Sequence, residues 1–416
     1  MTSSIRILMV SDVSPLTIRG GAERVLWEEA RRLAQRGHRI RLACRQPSPD
    51  APSAMELDGV FIRHFPHDRR SPWQALTSAI RQARNAVAHL LAEEPCDVLY
   101  LHQPLAGRGA LAVSAARQIP CLYNFLSPSP LEYSSRTGMT SLHRGGLRGR
   151  GAQALLWWVE RACLSSAERI RVLSRFSADQ LWRLYRITAD RLELIPGAAD
   201  LARFHPAATQ EALRRRLHLP LDRPLLFSVR NLEARMGLDT LIRALTCLRH
   251  SIPEFLLTIG GTGSRREELE ELAQSLGLRD HVRFLGYLPD SDLPSYYQAS
   301  DLFVLPTREL EGFGLIAVES LACGTPVLGT PVGAIPEILQ PLDPSLLMRA
   351  ATPEAMAESL AALLHRMRET PDDWARLRAD CRRHAESDYG WEAAVSRLEA
   401  TLFRLKEGIV SAPAPG

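Results

Sequence analysis

Two glutamates separated by seven residues, Glu311 and Glu319, flank a glycine-bearing loop, Gly312 to Gly314. A helix that begins just after glycines offers backbone N–H groups and the positive end of its dipole, which together suit a phosphate. Carboxylates accept hydrogen bonds from paired hydroxyls, so one glutamate can bind a sugar and the other a ribose. The spacing therefore predicts a nucleotide-sugar site. The structural alternative is that Glu311 caps the helix and Glu319 faces solvent.

The elements around these residues predict how they are positioned. Leu302 to Leu305 is typical of a short buried strand. Leu315 to Ala322 has apolar residues at helical spacing, and Gly324 is placed to end that helix. Strands alternate with helices along the whole chain, which favours an α/β fold with doubly wound parallel sheets.

This segment closely resembles the donor-site signature of the family-4 retaining glycosyltransferases. The resemblance is carried by Gly312, Phe313, Gly314 and Leu315 between the two glutamates, and by the run Leu-Ala-Cys-Gly-Thr-Pro-Val that follows. It implies the GT-B architecture, in which two Rossmann-like domains face each other across a cleft. The expected domains are 1–196, on the acceptor side and joined by a C-terminal helix at about 389–408, and 197–388, which binds the donor.

The family pattern also implies a cationic clamp on the diphosphate after the first strand of the second domain. The usual arginine and lysine positions correspond to Asn231 and Met236, but Arg230 and Arg235 keep the same spacing, displaced by one residue. Guanidinium groups bind phosphate bidentately, so these arginines are the predicted replacement. The alternative is that both point to solvent.

Further site residues follow from strand ends and glycine turns. The resemblance implies that Gly20 and Gly21 let a donor approach the backbone closely, although glycines there can also serve only a helix start. It places Tyr287 beside the base, and the glycine loop that carries Gly261 after a strand is consistent with the approach of a nucleotide. His102 follows a strand at the edge where open α/β sheets bind ligands, although a histidine there can also be a plain loop residue. The expected catalytic set is Glu311, His102, Arg230 and Arg235.

One position departs from the family pattern. Many relatives have a histidine, directed at the transferred sugar, where this chain has Leu126. Leucine cannot hydrogen-bond a hydroxyl, although the backbone carbonyl remains. Leu126 and Met236 favour a second hypothesis, a non-catalytic nucleotide-sugar-binding relative. A sugar-nucleotide epimerase of the same architecture is a less supported third.

Composition limits the partners. The chain has 416 residues and a formal charge of +4, which suits two domains and gives no strong field for nucleic acid. Its seven cysteines contain no C-x-x-C pair, which favours reduced thiols and excludes a zinc site of that type. No signal peptide or membrane-spanning run is recognised, so we expect a cytoplasmic protein.

Two segments carry subsidiary predictions. An amphipathic helix from Ser71 to Leu91 with Arg81 and Arg84 on it suggests weak contact with the inner face of a membrane, although packing on its own domain is the commoner use of such a face. The glycine- and arginine-rich segment from Arg136 to Gly151 is predicted to be a loop.

The prediction is therefore a retaining, metal-independent hexosyltransferase of glycan, glycolipid or polysaccharide synthesis. It would use UDP- or GDP-hexose as co-substrate, need no separate cofactor, and act on the hydroxyl of a sugar, polysaccharide or lipid-linked acceptor.

Overall fold

The computed structural model describes residues 4–18, 20–66, 72–136 and 147–409, and the chain divides into two compact units. Unit 1 consists of Met1–Pro196 with Glu392–Gly416, and unit 2 is Gly197–Trp391. Both are α/β units built on parallel sheets.

Within the described residues, the sheet of unit 1 has eight strands in the order β3-β4-β2-β1-β5-β6-β7-β8, and its pairs are parallel except for β3 with β4. The strands are β1 (Arg6–Ser11), β2 (Arg39–Arg45), β3 (Ala54–Leu57), β4 (Val60–Phe65), β5 (Val98–Leu101), β6 (Cys121–Phe125), β7 (Arg169–Val172) and β8 (Leu192–Leu194). The helices of unit 1 that precede unit 2 in the chain are α1 (Gly21–Gln35), α2 (Pro72–Glu93), α3 (Pro104–Ala110), α4 (Ser129–Arg136), α5 (Leu147–Ser166) and α6 (Arg175–Tyr185).

The predicted loop from Arg136 to Gly151 is wrong at its C-terminal end, because α5 already begins at Leu147. Arginine is a good helix former, so the first turn of α5 extends through a segment whose glycines favoured a loop. Residues 137–146 of that predicted loop lie outside the described part of the chain.

Helix α2 packs its apolar face onto its own unit. Val87 and Leu90 are fully buried in the core cluster of unit 1, whereas Arg81 and Arg84 are exposed. Val87 and Leu90 thus follow the commoner alternative for this helix, packing within its domain, and its contact with a membrane stays a prediction.

Within the described residues, unit 2 has a five-stranded parallel sheet in the order β11-β10-β9-β12-β13. Its strands are β9 (Leu225–Val229), β10 (Leu256–Gly260), β11 (Val282–Gly286), β12 (Leu302–Leu305) and β13 (Val327–Gly329). Its helices are α7 (Gln210–Arg216), α8 (Leu238–Ser251), α9 (Arg266–Ser275), α10 (Leu293–Ala299), α11 (Leu315–Ala322), α12 (Ile335–Leu339), α13 (Pro353–Glu369) and α14 (Pro371–Asp388). The last helix, α15 (Trp391–Lys406), belongs to unit 1 except for its first residue.

The parallel sheet of unit 2 decides where its polar loops meet. Parallel strands end at one edge, where open α/β sheets bind ligands. The neighbouring strands β9 and β12 lead there into the loops that carry Arg230 and Thr307. In the described part of the chain, no helix has the length and apolar character that a bilayer crossing requires.

Candidate functional site

Three side chains form a network at the carboxyl edge of the sheet of unit 2. Arg230 donates from Nη2 to Glu311 Oε2 at 2.6 Å and from Nη1 to Thr307 Oγ1 at 2.5 Å. Thr307 Oγ1 in turn donates to Glu311 Oε2 at 3.1 Å. The side chain of Arg230 is 5% exposed and that of Glu311 14%, so the carboxylate is the more accessible partner. Arg230 thus lies against Glu311, and its predicted contact with a phosphate remains a prediction.

The backbone of Glu311 is fixed by a second loop. Ala334 N donates to the Glu311 carbonyl at 3.0 Å. A Cβ at the neighbouring Gly333, whose φ is +62°, would lie 2.1 Å from the same oxygen. Only glycine allows this approach, so Gly333 positions Glu311. The sequence analysis missed this role, and the Pro-Val-Gly-Ala run after β13 was the available signal.

A close backbone approach also explains Gly261. Its φ is +118°, and a Cβ there would lie 1.8 Å from the carbonyl oxygen of Arg230. The loop after β10 is thereby packed against the loop that carries Arg230. Gly261 therefore has a structural role in holding the loop of Arg230, beside its predicted proximity to the donor.

Arg235 contacts the glutamate loop. Its Nη1 donates to the Leu310 carbonyl at 3.2 Å, and its own carbonyl accepts from Arg308 N at 2.9 Å. Leu310 has a φ of +57°, which is uncommon for leucine. Arg235 therefore fastens the segment just before Glu311. The two positions at which the family has its arginine and lysine differ in burial: Asn231 is exposed, whereas Met236 is a core residue that is 5% exposed.

The N-terminus of α11 follows this loop. Gly314 is its N-cap residue with a φ of +100°, so the N-cap position itself is taken by a residue without a side chain and not by Glu311. Phe313 is 6% exposed and meets the ring of Tyr389 edge-on, with centroids 5.8 Å apart. The side chain of Phe313 thus anchors the loop, while Gly312 and Leu315 are partly exposed beside it.

Glu319 and Tyr287 have opposite environments. Glu319 is 2% exposed and its Oε2 accepts from the hydroxyl of Tyr297 at 3.3 Å, so it does not face solvent. Tyr287 is 64% exposed and follows β11 directly. An exposed aromatic ring at this edge can stack on a base, and that role stays a prediction.

The predicted residues of unit 1 lie at its own strand ends. Gly20 and Gly21 are exposed at the start of α1, and Gly20 has an extended backbone that any residue can adopt. No conformational need therefore explains glycine at position 20. Leu126, which follows β6, is half-buried.

His102 is buried, with 1% of its surface exposed. Its Nδ1 lies 3.2 Å from the amide nitrogen of Asn124, and its Nε2 is 3.9 Å from the carboxylate of Glu29. Burial, together with the nearby Arg171, lowers the pKa of His102 to about 3. The imidazole is therefore neutral near pH 7 and cannot supply a proton as an imidazolium there.

Two acidic residues of unit 1 were missed by the sequence analysis. Asp12 follows β1 and accepts from the backbone N–H groups of Leu105 and Ala106 at 3.1 and 2.9 Å, and burial raises its pKa to about 6. Glu160 accepts from the N–H and hydroxyl of Ser129 at 3.0 and 2.8 Å. Both hold loops that follow strands of the sheet. In the sequence, Asp12 was recognisable only as an acid close to a strand end, and Glu160 only as an acid inside an apolar helix.

Groups of three or more metal-ligating side chains do not occur among the described residues. The site residues of unit 2 are instead an arginine, a threonine and glutamates on one sheet edge. Such a set can bind hydroxyl groups through carboxylates and stabilise negative charge through the guanidinium and the helix N-terminus.

Comparison with known proteins identifies the family. Residues 209–382 match the model of glycosyl transferases group 1, and residues 19–203 match that of glycosyltransferase family 4. D-inositol 3-phosphate glycosyltransferase 1 of Catenulispora acidiphila is 30% identical over 401 residues, covering 94% of this chain and 92% of that protein. The chain is a family-4 glycosyltransferase.

Solved structures show the same fold. Sucrose-phosphate synthase of Thermosynechococcus elongatus superposes with a TM-score of 0.80 at 24% identity, covering 97% of this chain and all of that one. Anabaena HepE in complex with UDP-glucose gives 0.72 at 19% identity, covering 95% and 99%. The family-4 enzyme therefore has the GT-B fold expected from its sequence.

Proposed function

We propose that this glycosyltransferase moves a hexosyl unit from a nucleoside diphosphate sugar to an acceptor hydroxyl, with retention at the anomeric carbon and without a required metal ion. The observation that carries the proposal is the network of Glu311, Arg230 and Thr307. It presents a partly exposed carboxylate, oriented by a buried arginine, next to the N-terminus of α11.

In this proposal, each group of unit 2 has a separate task. Glu311 accepts hydrogen bonds from hydroxyls of the transferred sugar. The amides at Gly314 and Leu315 lie at the positive end of α11 and stabilise the charge that develops on the leaving diphosphate. Glu319 binds the ribose hydroxyls once the ligand replaces the Tyr297 hydroxyl as its hydrogen-bond donor. No protein nucleophile is assigned, because the leaving phosphate can itself take the proton of the acceptor.

Named relatives support particular substrates. HepE was solved with UDP-glucose, which supports a uridine donor, and the Catenulispora relative is named for D-inositol 3-phosphate. We therefore place a phosphorylated polyol first among acceptors, ahead of the sugar, polysaccharide and lipid-linked acceptors expected from sequence. The single lysine of the chain, Lys406, lies in α15, so arginines, histidines or backbone groups must bind an acceptor phosphate.

The non-catalytic alternative rests on Met236 and Leu126. Met236 is buried in the core of unit 2, and in this proposal Arg235 beside it, which contacts the glutamate loop, supplies the cation instead. Leu126 remains an argument for a binding protein without turnover. The donor network argues against a pure scaffold, which needs no donor site, but it would suit a nucleotide-sugar-binding protein as well as an enzyme.

Nucleoside diphosphate release tests the proposal. UDP-, GDP- and ADP-hexoses are each incubated with and without inositol phosphate, and the wild-type chain is compared with Glu311→Gln. We expect release with one donor, increased by acceptor and lowered about 100-fold in the variant. A wild-type chain that binds a donor but releases nothing under all conditions would establish the non-catalytic alternative.

A further inference from the structure

Two tryptophans of unit 1 lie on the surface of neighbouring helices. Trp158 on α5 is 64% exposed, and Trp182 on α6 is 50% exposed. Tryptophan is usually largely buried, and single exposed aliphatic residues are common whereas exposed indoles are not. These rings are therefore candidates for contact with something outside the chain.

The helices that carry these rings are joined by their buried neighbours. Trp157 donates from Nε1 to the Leu184 carbonyl at 3.2 Å and stacks on Tyr185, with ring centroids 5.9 Å apart. Arg161 donates to the Tyr185 carbonyl at 3.2 Å. The C-terminal end of α6 is thus fixed to the middle of α5, so both exposed indoles are presented from rigid elements.

The charge on this surface has one dominant sign. The described side chains that are charged and at least partly exposed on α5 and α6 are Arg150, Arg161, Arg175, Arg183, Arg186 and Asp179. The carboxylate of α5, Glu160, is buried inside the unit. The guanidinium of Arg186 lies 5.4 Å from the ring centroid of Trp182, so cation and indole are adjacent. Counting Arg186 directly after α6 and the exposed Glu168 just after α5, five arginines stand against two exposed carboxylates.

We propose that this Trp–Arg surface, formed by the exposed residues of α5 and α6 around Trp158 and Trp182, docks on an anionic lipid bilayer. Indole rings favour the headgroup region because their apolar body and N–H meet apolar and wet surroundings at once. Arginines beside them bind lipid phosphates. Protein interfaces are also enriched in tryptophan and arginine, so it is the excess of arginines over carboxylates that favours lipid phosphates over a protein partner.

The membrane contact is separate from the donor site, which lies in unit 2. It is a different surface of unit 1 from α2, whose residues Val87 and Leu90 are buried in the core. A transferase docked in this way would act at the membrane surface whatever its donor.

Vesicle flotation tests the surface. The full-length protein is mixed with vesicles of one part phosphatidylglycerol to two parts phosphatidylcholine, and with phosphatidylcholine vesicles alone. We expect binding to the anionic vesicles, at least ~10-fold weaker binding to the neutral ones, and a similar loss when salt rises from ~0.1 M to ~0.5 M. Trp158→Ser/Trp182→Ser should lower binding by at least ~10-fold. Leu221→Ser, which changes a residue of unit 2 that is 42% exposed, should not.

A second variant guards against a folding defect. Arg183→Glu/Arg186→Glu keeps both indoles and should abolish binding to anionic vesicles while its melting temperature stays near that of the wild type. Absence of wild-type binding, equal binding to both vesicle types, or equal binding by wild type and the tryptophan variant would overturn the proposal. So would dimers, detected by light scattering, that the tryptophan variant separates, because the surface would then join two copies. Donor release measured without vesicles should be the same in all four proteins, which separates this test from that of the proposed function.

Discussion

Each unit contains an arginine–glutamate pair, and the two pairs differ in position. In unit 1, Arg171 on β7 pairs with Glu29 on α1, both side chains are 1% exposed, and Tyr100 donates to the same carboxylate at 2.9 Å. In unit 2, Arg230 and Glu311 lie on loops at the carboxyl edge of the sheet, with the carboxylate 14% exposed. The first pair is inside the fold, and the second is at the place where a parallel sheet binds ligands.

The difference shows that residue type does not decide the role of an ion pair. A buried pair must satisfy all its partners within the protein, and it contributes little net stability although its disruption is costly. In a pair at a strand end, part of the carboxylate remains accessible and can accept hydrogen bonds from a ligand. Mutations at the two pairs should therefore affect different quantities, stability in unit 1 and turnover in unit 2.

The largest expected effect is at the buried pair. Arg171→Met leaves Glu29 charged and without its cation, so the free energy of unfolding of unit 1 should fall by about 3–5 kcal/mol. Chemical denaturation followed by fluorescence measures this loss. Adding Glu29→Leu to the same chain should recover most of it, because the uncompensated charge is removed. Equal stabilities of the single and double variants would contradict a coupled pair.

The next effect concerns the pair at the sheet edge. Glu311→Gln should lower donor turnover by about 100-fold, the cost of misplacing a reacting group, with little change in melting temperature. Glu309→Gln is the matched control, because Glu309 lies in the same loop and is exposed. If the melting temperature of Glu311→Gln fell as far as that of Arg171→Met, the pair at the sheet edge would serve stability as the buried pair does.

The sequence could predict the units' strands and the glutamate loop because both are local. Leu302 to Leu305 and Leu315 to Ala322 carry their periodicity and glycine signals within a few residues, and the structure has the same bounds. The edge strand β3 and its neighbour β4 were missed, since β3 has only four residues and none of them is fully buried, and Arg63 and His64 interrupt the apolar run of β4.

Contacts between distant segments were beyond the sequence. Gly333 approaches the Glu311 carbonyl, and Arg230 finds Thr307, 77 residues away, only after the sheet has formed. Likewise, the motif at His102 gave no sign that its ring would be buried beside Glu29. Spacing identified which residue types were available, and the fold decided which of them share an edge.

A smaller effect should follow at Glu319, which is buried like Glu29 but belongs to the predicted ligand site. Glu319→Ala should weaken nucleoside diphosphate binding by about 1.5–3 kcal/mol, the range for hydrogen bonds to a charged group. Calorimetric titration measures this change. Tyr297→Phe removes the hydroxyl that donates to Glu319 and should leave nucleotide affinity nearly unchanged. Unaltered affinity in a folded Glu319→Ala variant would assign Glu319 to structure alone.

The smallest effect concerns Glu160, a buried carboxyl of unit 1 that accepts from the hydroxyls of Tyr123 and Tyr185. Burial raises its pKa from 4.5 to about 7, although these donors oppose the shift. The folded state therefore holds the proton more tightly than the unfolded state does. Stability from this group is greatest below pH 4.5 and falls as the pH rises through about 7.

Glu160→Gln cannot titrate, so the wild type should lose about 1–2 kcal/mol more stability than this variant between pH 5 and pH 7. Denaturant titrations at both pH values measure the difference. The comparison isolates Glu160 because Asp12, whose pKa is also raised, is present in both proteins. Parallel pH profiles for wild type and Glu160→Gln would mean that the hydroxyl donors keep Glu160 ionised, as Arg171 can do for Glu29. Buried carboxylates of unit 1 would then need no arginine to stay charged.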